Sequence, residues 1–157
     1  AGSYKFDMLT ATLFGTYATG ADEDADKDNY LPTLAEGWGL SPYVGGVRAF
    51  STTWDSFSGV ANDGTGVWSA GLQLTGIQFV DKLSHDLTIA YVKGTSDEDA
   101  ASFDKKDSAW EVYMVNKYMI FENLAAINEL GYFAPNLDDT DEEDNSAFLT
   151  VGLQYKF

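Results

Sequence analysis

The chain has 157 residues, with 25 Asp and Glu against 9 Lys and Arg, a formal net charge of −16, no cysteine and 15% aromatic side chains. That balance offers no basic face for phosphate contacts and argues against nucleic acid as a partner. The lack of thiols removes disulfide frameworks and thiolate metal sites. The length suits one domain spanning 1–157, long enough to bury a core or to form a small barrel.

The opening residues carry no basic stretch followed by an apolar run, so the chain reads as mature or truncated. A membrane-spanning helix needs about 20 consecutive apolar residues, and the sequence has no such run. Barrel strands need only about 9–11 residues with one apolar face, so mean hydropathy stays low while alternation carries the signal. The mean hydropathy of −0.20 fits that pattern and also fits a soluble sandwich, which leaves the segments to decide.

Residues 4–18 are the first predicted strand, with Leu9, Ala11, Leu13 and Tyr17 on one face and Thr10, Thr12 and Thr16 on the other, ended by Gly20. The link 20–41 is rich in Asp and Glu. Within it Asp22, Asp24, Asp26 and Asp28 alternate as in a calcium loop, since hard cations favour oxygen clusters. An EF-hand needs glycine where Lys27 stands, so the expectation is no resident cofactor, with calcium at most loosely held there and in the similar run Asp138, Asp139, Asp141, Glu142, Glu143 and Asp144.

Residues 43–50 and 53–61 are either two short strands or part of a large loop. The first choice gives a barrel of about eight strands. The second leaves six, too few to close, so that the chain is the C-terminal part of a larger barrel or assembles with other chains.

Residues 67–80 set Ala70, Leu72 and Leu74 against Ser69, Gly71, Gln73 and Thr75, and residues 87–93 set Leu87, Ile89 and Tyr91 against Thr88, Ala90 and Val92, making a hairpin across 81–86. His85, the only histidine, falls in that predicted turn between Ser84 and Asp86. Neighbours in a turn do not make the spatial relay of a catalytic triad, so the expectation is a structural turn histidine and no enzyme. After the acidic link 95–107, residues 110–120 place Trp110, Val112, Met114, Tyr118 and Ile120 on one face and Glu111 and Lys117 on the other, then turn at Glu122-Asn123 into 124–133. Glu111 and Lys117 are about 20 Å apart by strand rise and meet only groups on neighbouring strands. Asn116 interrupts the apolar series, and its partner across the hairpin is either Asn128 or Glu129, depending on register. Unpaired polar groups in hydrocarbon cost several kcal/mol each. The expectation is therefore either a local bulge that turns Asn116 inward or a subunit interface formed by Asn116 with Asn128 or Glu129.

A third acidic link, 136–145, leads to residues 146–157, where Ala147, Leu149, Val151, Leu153, Tyr155 and Phe157 alternate with Thr150, Gly152, Gln154 and Lys156. All short turns then fall on one rim and all long acidic links on the other, as in an antiparallel up-and-down transmembrane β-barrel with short periplasmic turns and long extracellular loops. The polar face would line a pore through Thr10, Thr12, Gln73, Thr75, Glu111, Lys117, Gln154 and Lys156, whereas Met8, Phe14, Tyr113, Val115 and Met119 on the presumed inner face would suit a filled interior.

Thr150, Gly152, Tyr155 and the terminal Phe157 resemble, place for place, the signal by which the outer-membrane assembly machinery recognises its clients. Together with Thr16 to Asp24 and Ser41 to Arg48, this ending is similar to the C-terminal part of homotrimeric outer-membrane porins of sulfate-reducing bacteria. The resemblance touches about a third of the chain and implies a water-filled, trimeric, porin-like channel in a Gram-negative outer membrane, among its lipids and lipopolysaccharide. The chain is too short for the about 16–18 strands of such a porin. The functional expectation is passive, cation-preferring diffusion of small hydrophilic solutes. The alternatives are a small closed barrel with a structural or adhesion role and, more weakly, a barrel lipid-modifying enzyme.

Overall fold

The computed structural model describes residues 1–21, 66–98, 103–138 and 145–157. These form seven strands and no helix: β1 (Gly2–Lys5), β2 (Thr10–Tyr17), β3 (Val67–Val80), β4 (Leu83–Gly94), β5 (Ser108–Phe121), β6 (Leu124–Asn136) and β7 (Ser146–Tyr155). All are antiparallel to their chain neighbours in one sheet of order β1-β2-β3-β4-β5-β6-β7. Short turns join β1 to β2, β3 to β4 and β5 to β6, while the three longer connections leave from the opposite rim.

The sheet is open among the described residues, with β1 and β7 as edges. The predicted strands 43–50 and 53–61 and the calcium candidates Asp22, Asp24, Asp26 and Asp28 lie outside the described residues.

Three local expectations need correction. The single strand over 4–18 is a hairpin, with Lys5 opposite Thr10 and Phe6 N–H donating to the Leu9 carbonyl at 2.8 Å. Met8 therefore sits exposed in a turn and not on an inner strand face. The turn 81–86 contracts to Asp81-Lys82, with Lys82 in the left-handed region at φ 63°. His85 lies in β4, opposite Ile77 and Asn116. Lys156 lies one residue beyond β7, its N–H donating to the Asn123 carbonyl at the short-turn rim.

Period-two alternation gives the sheet two unlike faces. On the covered face, one transverse row runs Phe14, Gly71, Ala90, Glu111, Phe133 and Ser146. The next row runs Thr12, Gln73, Thr88, Tyr113, Gly131 and Phe148. Two aromatic rings lie over glycines in these rows. A Cβ on Gly71 would meet the Phe14 ring at 2.4 Å, and one on Gly131 would meet the Phe148 ring at 2.0 Å. Aromatic cover of a strand glycine replaces the packing that the missing side chain cannot supply. The apolar core gathers toward the long-connection rim, where Phe103 belongs to one buried cluster with Val67, Val92, Ala109 and Phe133.

On the other face apolar residues stand in the open: Leu13, Tyr17, Ile89, Trp110, Val112, Leu130, Tyr132, Leu149, Val151 and Leu153. A monomeric soluble protein seldom exposes so continuous an apolar surface. Trp68, Tyr91 and Trp110 form a ring row near the long-connection rim, with centroids 5.4 and 5.0 Å apart. Phe79, Tyr118, Phe121 and Tyr155 are exposed toward the short-turn rim.

Candidate functional site

The covered face carries polar groups at mid-strand. Glu111 and Glu129 are 1% and 0% exposed, beside buried Ser69, Thr88 and Tyr113. The Tyr113 hydroxyl donates to Glu129 Oε1 at 2.6 Å. Gln73 Nε2 donates to Thr88 Oγ1 at 3.4 Å, and the Thr16 and Ser69 hydroxyls share a 2.6 Å hydrogen bond. Of the residues expected along a pore, Thr10 faces Thr75, Thr12 faces Gln73, and Glu111, Lys117 and Gln154 fall on this same face by register. Glu111 is nonetheless closed off from solvent.

The hairpin register decides between Asn128 and Glu129 as the residue opposite Asn116. The Glu122-Asn123 turn pairs Phe121 with Leu124, and an unbroken register would then set Asn116 opposite Glu129. A bulge between Met119 and Phe121 shifts the ladder by one residue, so Asn116 faces Asn128 and Glu129 turns to the covered face opposite Val115. A one-residue slip exchanges the two faces of a strand. Glu129 is therefore not the ladder partner of Asn116.

Asn116 stays on the exposed face and joins a polar row across four strands. His85 Nδ1–H donates to Asn116 Oδ1 at 2.6 Å, Asn116 Nδ2 to Asn128 Oδ1 at 2.9 Å, and Asn128 Nδ2 to the Thr150 carbonyl at 3.4 Å. Above and below the row the surface is apolar, through Met114 and Leu130 on one side and Tyr118 and Ala126 on the other.

At the long-connection rim, acidic residues act on the backbone. Asp107 accepts from the N–H groups of Asp104 and Asp138, at 2.9 Å each, and Asp104 Oδ1 accepts from Lys106 N–H at 2.7 Å. Lys105 pairs with Asp97 at 3.0 Å, and Lys106 with Glu98 at 3.0 Å and Asp138 at 3.1 Å. Hydrogen bonding to Glu98, and then to Asp138, holds the exposed Lys106 ammonium above the ordinary lysine range. Asp138, taken with the acidic run 138–144 as a loose calcium candidate, is engaged by lysine. No group of three or more possible ligands for a metal occurs among the described residues.

Of the assembly-signal positions, Thr150 and Gly152 are half-buried on the covered face, whereas Tyr155 is exposed and packs edge-on against Phe157 with centroids 5.0 Å apart. No protein-family model, curated protein or solved structure matches this chain.

Proposed function

We propose that the chain is wall of a transmembrane β-barrel in a Gram-negative outer membrane, acting as a porin-like channel for small hydrophilic solutes and ions. The observation that carries this reading is the exposed apolar face between two sets of aromatic residues. From Trp110 to Tyr118 is eight residue steps along β5, and to Phe121 eleven. At about 3.3 Å per residue and a tilt of about 40°, the band is roughly 20 to 28 Å high, the height of the apolar belt on known membrane barrels. Water would penalise such a face, whereas lipid accepts it.

An open sheet edge has no place in hydrocarbon. β1 and β7 run in the same direction, so direct closure would pair them in parallel. Antiparallel closure takes an odd number of further strands from outside the described residues. On this reading the periplasmic turns are the short ones, the outer-membrane assembly machinery reads Thr150, Gly152, Tyr155 and Phe157, and the acidic rim borders lipopolysaccharide. The functional unit is a homo-oligomer, a trimer if it follows the porins it resembles, and no reaction is assigned to it.

A second reading is a filled barrel with a structural or adhesion role. The burial of Thr88, Ala90, Glu111, Tyr113, Ile127 and Glu129 favours it, because water-lined walls expose such positions. Planar-bilayer recording separates the two. A porin gives steps of conductance with a reversal potential toward that of K⁺ in a KCl gradient, and a filled barrel inserts but leaves the bilayer sealed.

A further inference from the structure

We propose that the His85, Asn116 and Asn128 row is the polar seam of an interface with a second copy of this chain, an inference that names the contact surface of the oligomer proposed above and rests on that membrane reading. The row lies in the short-turn half of the strands, with His85 two residues into β4 and beside the Phe79 ring, and Asn116 two residues inward of Tyr118, on a face that is otherwise apolar. It satisfies itself only sideways: His85 Nε2 and the second Asn116 amide hydrogen have no partner among the described residues, and the Asn128 bond to Thr150 is long at 3.4 Å. Acyl chains offer such groups nothing, so a protein surface with hydrogen-bonding groups at the same depth is the favourable neighbour.

A second copy meets that requirement by symmetry. A two-fold rotation about an axis along the membrane normal keeps every residue at its own depth and sets the row of one copy against the same row of the next, so this contact joins copies in pairs. The asparagine amides carry donor and acceptor together and are complementary to themselves. Beside the row, Leu87, Val112, Met114, Leu130 and Leu149 floor an apolar concavity of about 550 Å³. Val151, opposite Asn128 on β7, projects with 72% of its surface exposed.

The chain has no native cysteine, so Val151→Cys introduces a single thiol beside the intact row. The full chain is inserted into phosphatidylcholine vesicles and oxidised with copper phenanthroline, with Leu72→Cys, on the same face of β3, as the comparison. The expected result is several-fold more disulfide-linked dimer from Val151→Cys than from Leu72→Cys, and loss of that excess when Asn116→Leu is added without loss of heat-modifiable folded protein. Equal, low cross-linking at the two positions in inserted protein overturns the seam and leaves the membrane reading standing. Failure of the wild-type chain to insert overturns both.

Discussion

The Tyr113 hydroxyl donates a 2.6 Å hydrogen bond to Glu129 Oε1 across β5 and β6, and both side chains are closed off from solvent. A buried carboxylate that loses a donor keeps the desolvation cost without the compensation. Tyr113→Phe is expected to destabilise the fold by about 1–3 kcal/mol, read as a lower urea midpoint in detergent micelles. Tyr132→Phe, on the exposed face, serves as the comparison and should leave the midpoint within error.

The glycine under Phe148 gives a second expectation. A Cβ at position 131 would overlap the Phe148 ring at 2.0 Å, so Gly131→Ala forces the ring off its seat and against Tyr113, its neighbour at a centroid distance of 6.1 Å. Overpacking of this kind costs about 1–3 kcal/mol. Trimming the ring as well, in Gly131→Ala with Phe148→Leu, should recover part of the loss. Equal midpoints for the single and double variants would refute the overlap as the cause.

The terminal aromatic is expected to matter for assembly more than for synthesis. Phe157 lies beyond β7, where its ring meets the Tyr155 ring edge-on. Deleting it, or making Phe157→Asp, should sharply reduce heat-modifiable barrel in outer-membrane fractions while total protein is unchanged. Undiminished assembly would remove the signal reading.

Channel selectivity supplies a test of the acidic balance of the chain. With a net charge of −16, a reconstituted pore should prefer K⁺ to Cl⁻. The preference should weaken as salt rises and the Debye length shortens from about 10 Å at 0.1 M to about 3 Å at 1 M. A preference that is unchanged by salt would point away from exposed rim charge.

The Lys106 bridge to Glu98 and Asp138 predicts a pH profile at the rim. Its folded value is raised above the ordinary 10.5, so the contribution is fully present below that value and is lost only as pH climbs through the higher folded one. Protection of the rim against proteolysis should therefore be flat from neutral pH to about 10. Lys106→Met should be cut faster at neutral pH, with a smaller difference from wild type at high salt, because exposed pairs are screened.

The two faces of each long strand were legible in the sequence, because side-chain direction in a strand follows parity alone. Leu72 and Leu74, Trp110 and Val112, and Leu149 and Val151 declare the exposed face without any knowledge of neighbours. The segregation of short turns from long acidic connections was equally visible. The hairpin within 4–18 was not, since Phe6, Asp7 and Met8 carry neither glycine nor proline to mark a turn.

Register was the other thing that only the tertiary structure decided. The bulge between Met119 and Phe121 moves one residue out of the ladder, pairs Asn116 with Asn128 and sends Glu129 to the covered face beside Tyr113. The alternation of β6 is the same in either register, and the choice rests on burying Ile127 and Phe133 while leaving Leu130 and Tyr132 exposed. The position of His85 was hidden for a related reason: β4 begins at Leu83, and its unbroken ladder with β5 sets the imidazole opposite Asn116. Composition and alternation thus fix what each face of a strand is made of, while the ladder partners, set by bulges that balance packing on both faces at once, decide which polar groups meet.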